Sequence, residues 1–257
     1  ASGAWSFGGG VRAARSRLVV DAPAGLGVTF VPRLLTAQPL REERDGRVVT
    51  TYEVRDIPRG ETPLMLLGPA VPRVPRVGWT TAPSWSAVAS AYAAIVDAQA
   101  QQGDVAEAAR EAAKGAADLR TAAARCLAAV HAKVRYTGLE FGEAAIVPAR
   151  PAQCRERGYG DCKDKATLVV AMLRALGHRA DVALLTPGIH ADIDPDVPGL
   201  RQFTHAIVAA GDPPLFIDAT IPEAAVGELP DADRNRLALI ARRDTVAPVR
   251  TPLSSPE

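Results

Sequence analysis

The sequence predicts an α+β protein in two parts: a partial β-sandwich over residues 1–76 and a core of helices followed by strands over residues 77–257. Two observations carry this. Up to about residue 75, short apolar runs alternate with Gly, Pro and Asp turns, whereas from Pro83 the texture becomes Ala-rich with helical spacing. Beyond residue 180, short β-branched runs return between turn signals. At 257 residues, folding removes roughly 75% of the unfolded surface, so neither disulfides nor a metal is needed to hold a core.

In chain order, Arg17–Val20 and Val28–Val31 are short apolar runs flanked by Gly and Pro. Asp45-Gly46 is a turn signal, and Arg47–Val54 then alternates, with Val48, Thr50, Tyr52 and Val54 on one face. Pro63–Leu67 reads as one more strand. Gly68-Pro69, Pro72 and Pro75 form a Pro-rich connection, taken as the domain boundary. Ser84 or Ser86 can cap a helix reaching about Gln101, and Gly103-Asp104 separates it from a second helix near 105–114. A third begins near Ala117. It carries Leu119, Ala123, Cys126, Leu127, Val130 and Val134 along one stripe, which makes Cys126 a packing residue. After an irregular stretch over 138–160, a helix from about Cys162 to Leu176 ends at Gly177 and is apolar on most sides, as a central helix is. Strands follow over 180–185, 203–209, 215–219 and 236–241. A Pro/Asp-rich loop spans 186–202, in which Asp192, Asp194 and Asp196 read as solvated.

Charge and cysteine usage narrow the function classes. The 30 Lys+Arg nearly cancel 29 Asp+Glu, which argues against a nucleic-acid binder. No apolar run approaches 18 residues, so no transmembrane segment is expected. The chain starts at Ala1 without Met, so a processed or truncated chain is the expectation. Three cysteines without a C-x-x-C pair make neither a disulfide scaffold nor a structural zinc site, and no metal or cofactor is expected. Cys154 is either an incidental thiol or half of a disulfide, and His131, His178 and His190 read as surface or helix-end residues.

Chemistry concentrates around Cys162. It stands where a glycine-containing turn, Gly160-Asp161, meets the first turn of a buried helix, where free N–H groups and the helix dipole favour a thiolate and can stabilise an oxyanion. Lys163 and Lys165 add positive charge, largely offset by Asp161 and Asp164. Many cysteines so placed are inert; the downstream pair changes the balance. His205 and Asp218 lie on two apolar runs separated by the turn signal Gly211-Asp212-Pro213-Pro214. A hairpin centred on Gly211-Asp212 sets His205 directly opposite Asp218, where a carboxylate fixes the tautomer of an imidazole and stabilises its charged form.

The stretch Gly158-Tyr159-Gly160-Asp161-Cys162-Lys163-Asp164-Lys165-Ala166-Thr167-Leu168 resembles the nucleophile motif of bacterial transglutaminase-like proteins. Phe203-Thr204-His205-Ala206-Ile207-Val208 and Phe216-Ile217-Asp218-Ala219-Thr220 resemble that family's His and Asp motifs, in the same order. Val134-Arg135-Tyr136-Thr137-Gly138-Leu139-Glu140 also fits, as does Val77-Gly78-Trp79 to Trp85, the entry from a preceding β-sandwich domain. The resemblance implies a papain-like core in which a nucleophile helix packs on an antiparallel sheet. It implies Cys162 as nucleophile, His205 as base and then acid, and Asp218 as its orienting partner. The chemistry would be acyl transfer on protein or peptide amides through a thioester, with transglutaminase, deamidase or protease outcome. The Cys162 N–H and one further donor would hold the oxyanion. Tyr136 is the candidate for that donor, or else is simply solvated; Gly160, Asp161 and Lys163 support the site. Relatives often continue past the equivalent of Glu257 and are often exported, so further domains and a periplasmic or extracellular location are expectations. The alternative is a non-catalytic binding or assembly module that keeps the fold. It predicts His205 out of hydrogen-bond reach of Cys162.

Overall fold

The computed structural model describes residues 1–60, 74–100, 105–138, 142–188, 191–222 and 224–253. The strand expected at Pro63–Leu67, Gly68-Pro69 and Pro72 of the connection, Gly103-Asp104, Leu139-Glu140 and His190 lie outside the described residues. Two compact units emerge, Ala1–Ser84 with Ile189–Gln202, and Trp85–Gly188 with Phe203–Glu257.

Among the described residues, the first unit contains two three-stranded antiparallel sheets. In one, β6 (Arg76–Thr80) lies between β1 (Ser2–Ser6) and β3 (Thr29–Arg33); in the other, β5 (Arg47–Ile57) lies between β2 (Ala13–Pro23) and β4 (Leu40–Arg44). Phe7 and Val77 from the first sheet's side meet Tyr52 of the second, with Leu18, Phe30, Leu35 and Val54 around them, which makes this a sandwich core. Asp45 and Gly46 both have positive φ, 52° and 69°, the geometry a two-residue hairpin turn requires. The break expected after residue 76 falls inside β6, the middle strand of its sheet. The acidic loop is not solvated as expected. Asp194 is 5% exposed because Arg33 reaches it through Nη2 at 2.7 Å and Nε at 2.9 Å, and Arg76 through Nη2 at 3.1 Å. Asp192 is buried too, and Asp196 alone of the three is exposed.

The second unit contains α1 (Trp85–Gln99), α2 (Ala106–Ala112), α3 (Leu119–Lys133), the two-residue strand β7 (Arg135–Tyr136), α4 (Pro151–Arg157), its parallel partner β8 (Tyr159–Gly160) and α5 (Cys162–Ala175). A five-stranded antiparallel sheet completes it, formed by β9 (Ala180–Leu185), β10 (His205–Ala210), β11 (Leu215–Ile217), β12 (Leu237–Ile240) and β13 (Val249–Arg250) in the order β11-β10-β9-β12-β13. α3 starts where Asp118 accepts the Thr121 N–H at 2.8 Å, and Cys126 lies in its buried stripe as expected. α5 is the central helix. It packs on β9, β10, α2, α3 and α4, and every residue from Cys162 to Leu173 is buried. Truncating Leu168 or Leu173 there to Ala costs about 2–5 kcal/mol. The helix stops because Gly177 takes a φ of 83° while the His178 N–H returns to the Leu173 carbonyl at 3.0 Å.

Candidate active site

The thiol side of the site is built locally. Asp161 precedes α5, and its Oδ1 accepts the Asp164 N–H at 3.0 Å while Asp164 Oδ2 accepts the Asp161 N–H at 3.1 Å, a reciprocal capping box. Cys162 therefore occupies the first helical position, where a backbone N–H has no carbonyl partner within the helix. The Lys163 ammonium is paired with Asp161: its Nζ lies 2.9 Å from Asp161 Oδ2, and both side chains are buried. Asp164 also accepts the Ala149 N–H at 2.7 Å and pairs with Arg157. Gly160 has a packing reason. A Cβ there would stand 2.8 Å from both Asp164 Cβ and Cys154 Sγ, so no side chain fits. Tyr136 pairs with Gly160 across the β7–β8 ladder, half of its surface exposed, and the Thr137 N–H donates to the Gly160 carbonyl at 2.9 Å. All three cysteines are buried and none is in a disulfide, Cys154 included. Burial pushes both Cys126 and Cys154 up to about 11.

The imidazole side is assembled from the sheet. β10 and β11 pair Val208 with Ile217 and Ala210 with Leu215, so the hairpin register sits two residues from the direct His205–Asp218 pairing expected. Pro213 and Pro214 carry no N–H for a ladder, and both are absorbed into a four-residue turn before Leu215. A two-residue offset preserves the face, whereas an offset of one would have reversed it. Asp218, just past β11, consequently reaches His205 diagonally: its Oδ2 is 3.1 Å from His205 Nε2. Asp218 Oδ1 accepts the Thr220 N–H at 2.8 Å and hydroxyl at 2.7 Å, which fixes the carboxylate plane. His131 sits at the end of α3 as expected, but it also reaches inward, its Nε2 2.9 Å from the Ala219 carbonyl.

The Cys162 side chain hydrogen-bonds the same imidazole, so Cys162, His205 and Asp218 form one connected chain. Burial acts to lower the proton affinity of His205, but the Asp218 and Cys162 bonds and charges outweigh it and push the imidazolium up to about 10. Burial conversely acts to raise the Asp218 carboxyl, and the His205 and Thr220 contacts hold it below the usual carboxylate range.

Two further buried groups border the site; Lys165 was visible in the sequence as a nearby charge, and Asp233 was not. Lys165, 2% exposed, donates its Nζ to the Val134 carbonyl at 3.1 Å, and burial lowers its proton affinity. Asp233, 2% exposed, comes close to Asp218 and His205 from the short 3-10 turn Asp231–Asp233. One ligand-type atom each from His205, Asp218 and Asp233 lies within 4.8 Å of the others. Because His205 Nε2 and Asp218 Oδ2 are spent on each other, this cluster is a hydrogen-bond network rather than a cation site. No local motif marks Asp233; only the fold brings it here.

Residues 106–187, which include Cys162 and the whole of α5, match the family model described as the Transglutaminase-like superfamily. Over that stretch the second unit is similar to this superfamily. The match ends ahead of His205 and Asp218, so the likeness covers the thiol side of the site. Among solved structures, the chain is similar to a candidate protease from Parabacteroides distasonis ATCC 8503, with a TM-score of 0.75 and 14% identity. That likeness, one of fold, covers 98% of this chain and 47% of the other, so this chain spans about half of that protein's length. A candidate cysteine protease from Cytophaga hutchinsonii aligns with a TM-score of 0.39 and 12% identity over 82% of this chain and 68% of that one. No curated protein matches the chain.

Proposed function

We propose that the transglutaminase-like unit carries out cysteine-dependent acyl transfer on protein or peptide amides. In this reading the Cys162 proton passes to His205 before the sulfur attacks the amide carbonyl carbon, forming a C–S bond and an oxyanion. The Cys162 backbone N–H holds that oxyanion, with Tyr136 as the proposed second donor. Collapse of the intermediate breaks the C–N bond, and His205 returns the proton to the departing ammonia or amine. Water or a primary amine then attacks the thioester, with His205 again as base, and the thiol is restored. Asp218 keeps Nε2 protonated and stabilises the imidazolium formed at each proton transfer.

One observation carries the proposal: a single imidazole bonds a helix-start thiol and, at 3.1 Å through Nε2, a buried carboxylate. The non-catalytic alternative expected His205 out of reach of Cys162, and the contact between them favours the enzyme reading. The test is turnover of glutamine-containing peptides, followed as ammonia release and backbone cleavage, in wild type and Cys162→Ala. The proposal expects loss of all turnover with an unchanged circular dichroism spectrum. Wild-type rates in Cys162→Ala would overturn it. Adding a primary amine distinguishes the outcomes, since a transamidase incorporates it and a hydrolase does not.

A further inference from the structure

Asp233 is buried at 2% exposure, yet as a carboxylate its Oδ2 has no donor to accept from. Beside it is Asp218, a second buried carboxylate that already holds His205 on one oxygen and Thr220 on the other. Two carboxylates this close in a dry site do not both ionise at neutral pH. A shared proton answers both problems, because it gives one acid an O–H to donate and removes one of the two charges.

We propose that Asp233 is a positioning residue of this site: a neutral carboxylic acid that donates its O–H to Asp218 and so fixes the carboxylate that holds His205. Its importance for turnover rests on the acyl-transfer reading, whereas the acid pair itself rests on geometry. The groups facing Asp233 are His205 from β10, Asp218 beyond β11 and Arg236 ahead of β12. On its own turn, Asp231 is exposed and pairs with Arg234 at 2.9 Å. Burial is the largest influence and raises the Asp233 acid. His205 opposes it, the charge and hydrogen bond of Asp218 add to it, and Arg236 opposes it, leaving the group pushed up to about 7. Below that point Asp233 is a donor. Above it, a second negative charge stands near His205, which strengthens the hold of the imidazole on its proton.

The experiment is a pH titration by NMR of protein carrying 13C-carboxyl aspartate and 15N-histidine, in wild type, Asp233→Asn and Asp233→Ala. Wild type is expected to show one aspartate carboxyl titrating near pH 7 that is absent from both variants. The His205 ring should lose its proton at lower pH in Asp233→Asn than in wild type. In turnover, Asp233→Ala is expected to lower kcat on the order of 10-fold with KM unchanged, the loss of one buried hydrogen bond, and Asp233→Asn should restore most of it because its amide still donates. A wild type with no aspartate titrating between about pH 6 and 8, or a titration that persists in Asp233→Asn, overturns the proposal. So does wild-type kcat in Asp233→Ala. The NMR readout needs no turnover: if Cys162→Ala proved fully active, the acyl-transfer reading would fall while the acid pair would still be judged on its own titration.

Discussion

Cys162 is held by its immediate neighbours, whereas His205 is held by groups drawn from separate strand ends. On the thiol side, Gly160, Asp161 and Asp164 lie within two residues of the cysteine, and the capping box starts the helix at Cys162. On the imidazole side, Asp218 comes from beyond β11 and Asp233 from a turn ahead of β12, and both depend on the sheet being paired correctly. A nucleophile that must meet a dipole can be set by a local motif. A base that must be gripped from behind needs tertiary structure. The two sides should therefore fail differently when mutated.

The largest effect is expected from the imidazole side. His205→Ala should lower kcat on the order of 1,000-fold or more. Asp218→Asn keeps the shape but presents the wrong partner to Nε2, and should cost on the order of 100-fold or more in kcat. The thiol side should break through stability instead. Gly160→Ala forces a Cβ to within 2.8 Å of Asp164 Cβ and Cys154 Sγ, and overpacking of this kind costs about 1–3 kcal/mol. Asp164→Ala removes half of the capping box together with the Ala149 and Arg157 contacts, for a cost of about 1–3 kcal/mol in denaturant unfolding.

The smallest effect is a matter of sign. Asp233 is raised from 3.8 to about 7 on folding, so its stabilising, protonated contribution is complete below about pH 4 and is lost as pH rises through about 7. Asp233→Asn has no proton to lose. It should match wild type in thermal unfolding at pH 4 and exceed it in Tm at pH 8. Equal Tm differences at both pH values would remove Asp233 from the titrating groups of this site.

The sequence showed the local side well and the assembled side in outline. A helix starting at Cys162 and ending at Gly177 was readable because capping and C-terminal glycines act over a few residues, and the stripe of α3 was readable because 3.6-residue periodicity is local. The hairpin was readable in kind, but its register was off by two residues, because the two prolines are absorbed into a four-residue turn before the ladder resumes at Leu215. The burial of Asp194 was not readable at all, since its partners Arg33 and Arg76 are over a hundred residues away. Asp233 was hidden for the same reason: its neighbours in sequence are surface residues, and only the strand order brings its carboxyl to Asp218. The offset of Lys163 by Asp161 was readable, because the two opposite charges stand two residues apart at the helix start.

A locally capped thiol is engaged by an imidazole that the sheet delivers. The most direct measurement is the alkylation rate of each cysteine at neutral pH, resolved by peptide mass spectrometry, in wild type and in His205→Ala. The account predicts that Cys162 is modified first and that His205→Ala slows it on the order of 10-fold or more, while Cys126 and Cys154, both buried and pushed up to about 11, stay unmodified in the folded protein. If Cys162 reacts no faster than those two, or reacts equally fast without His205, the thiol and the imidazole do not work as a pair.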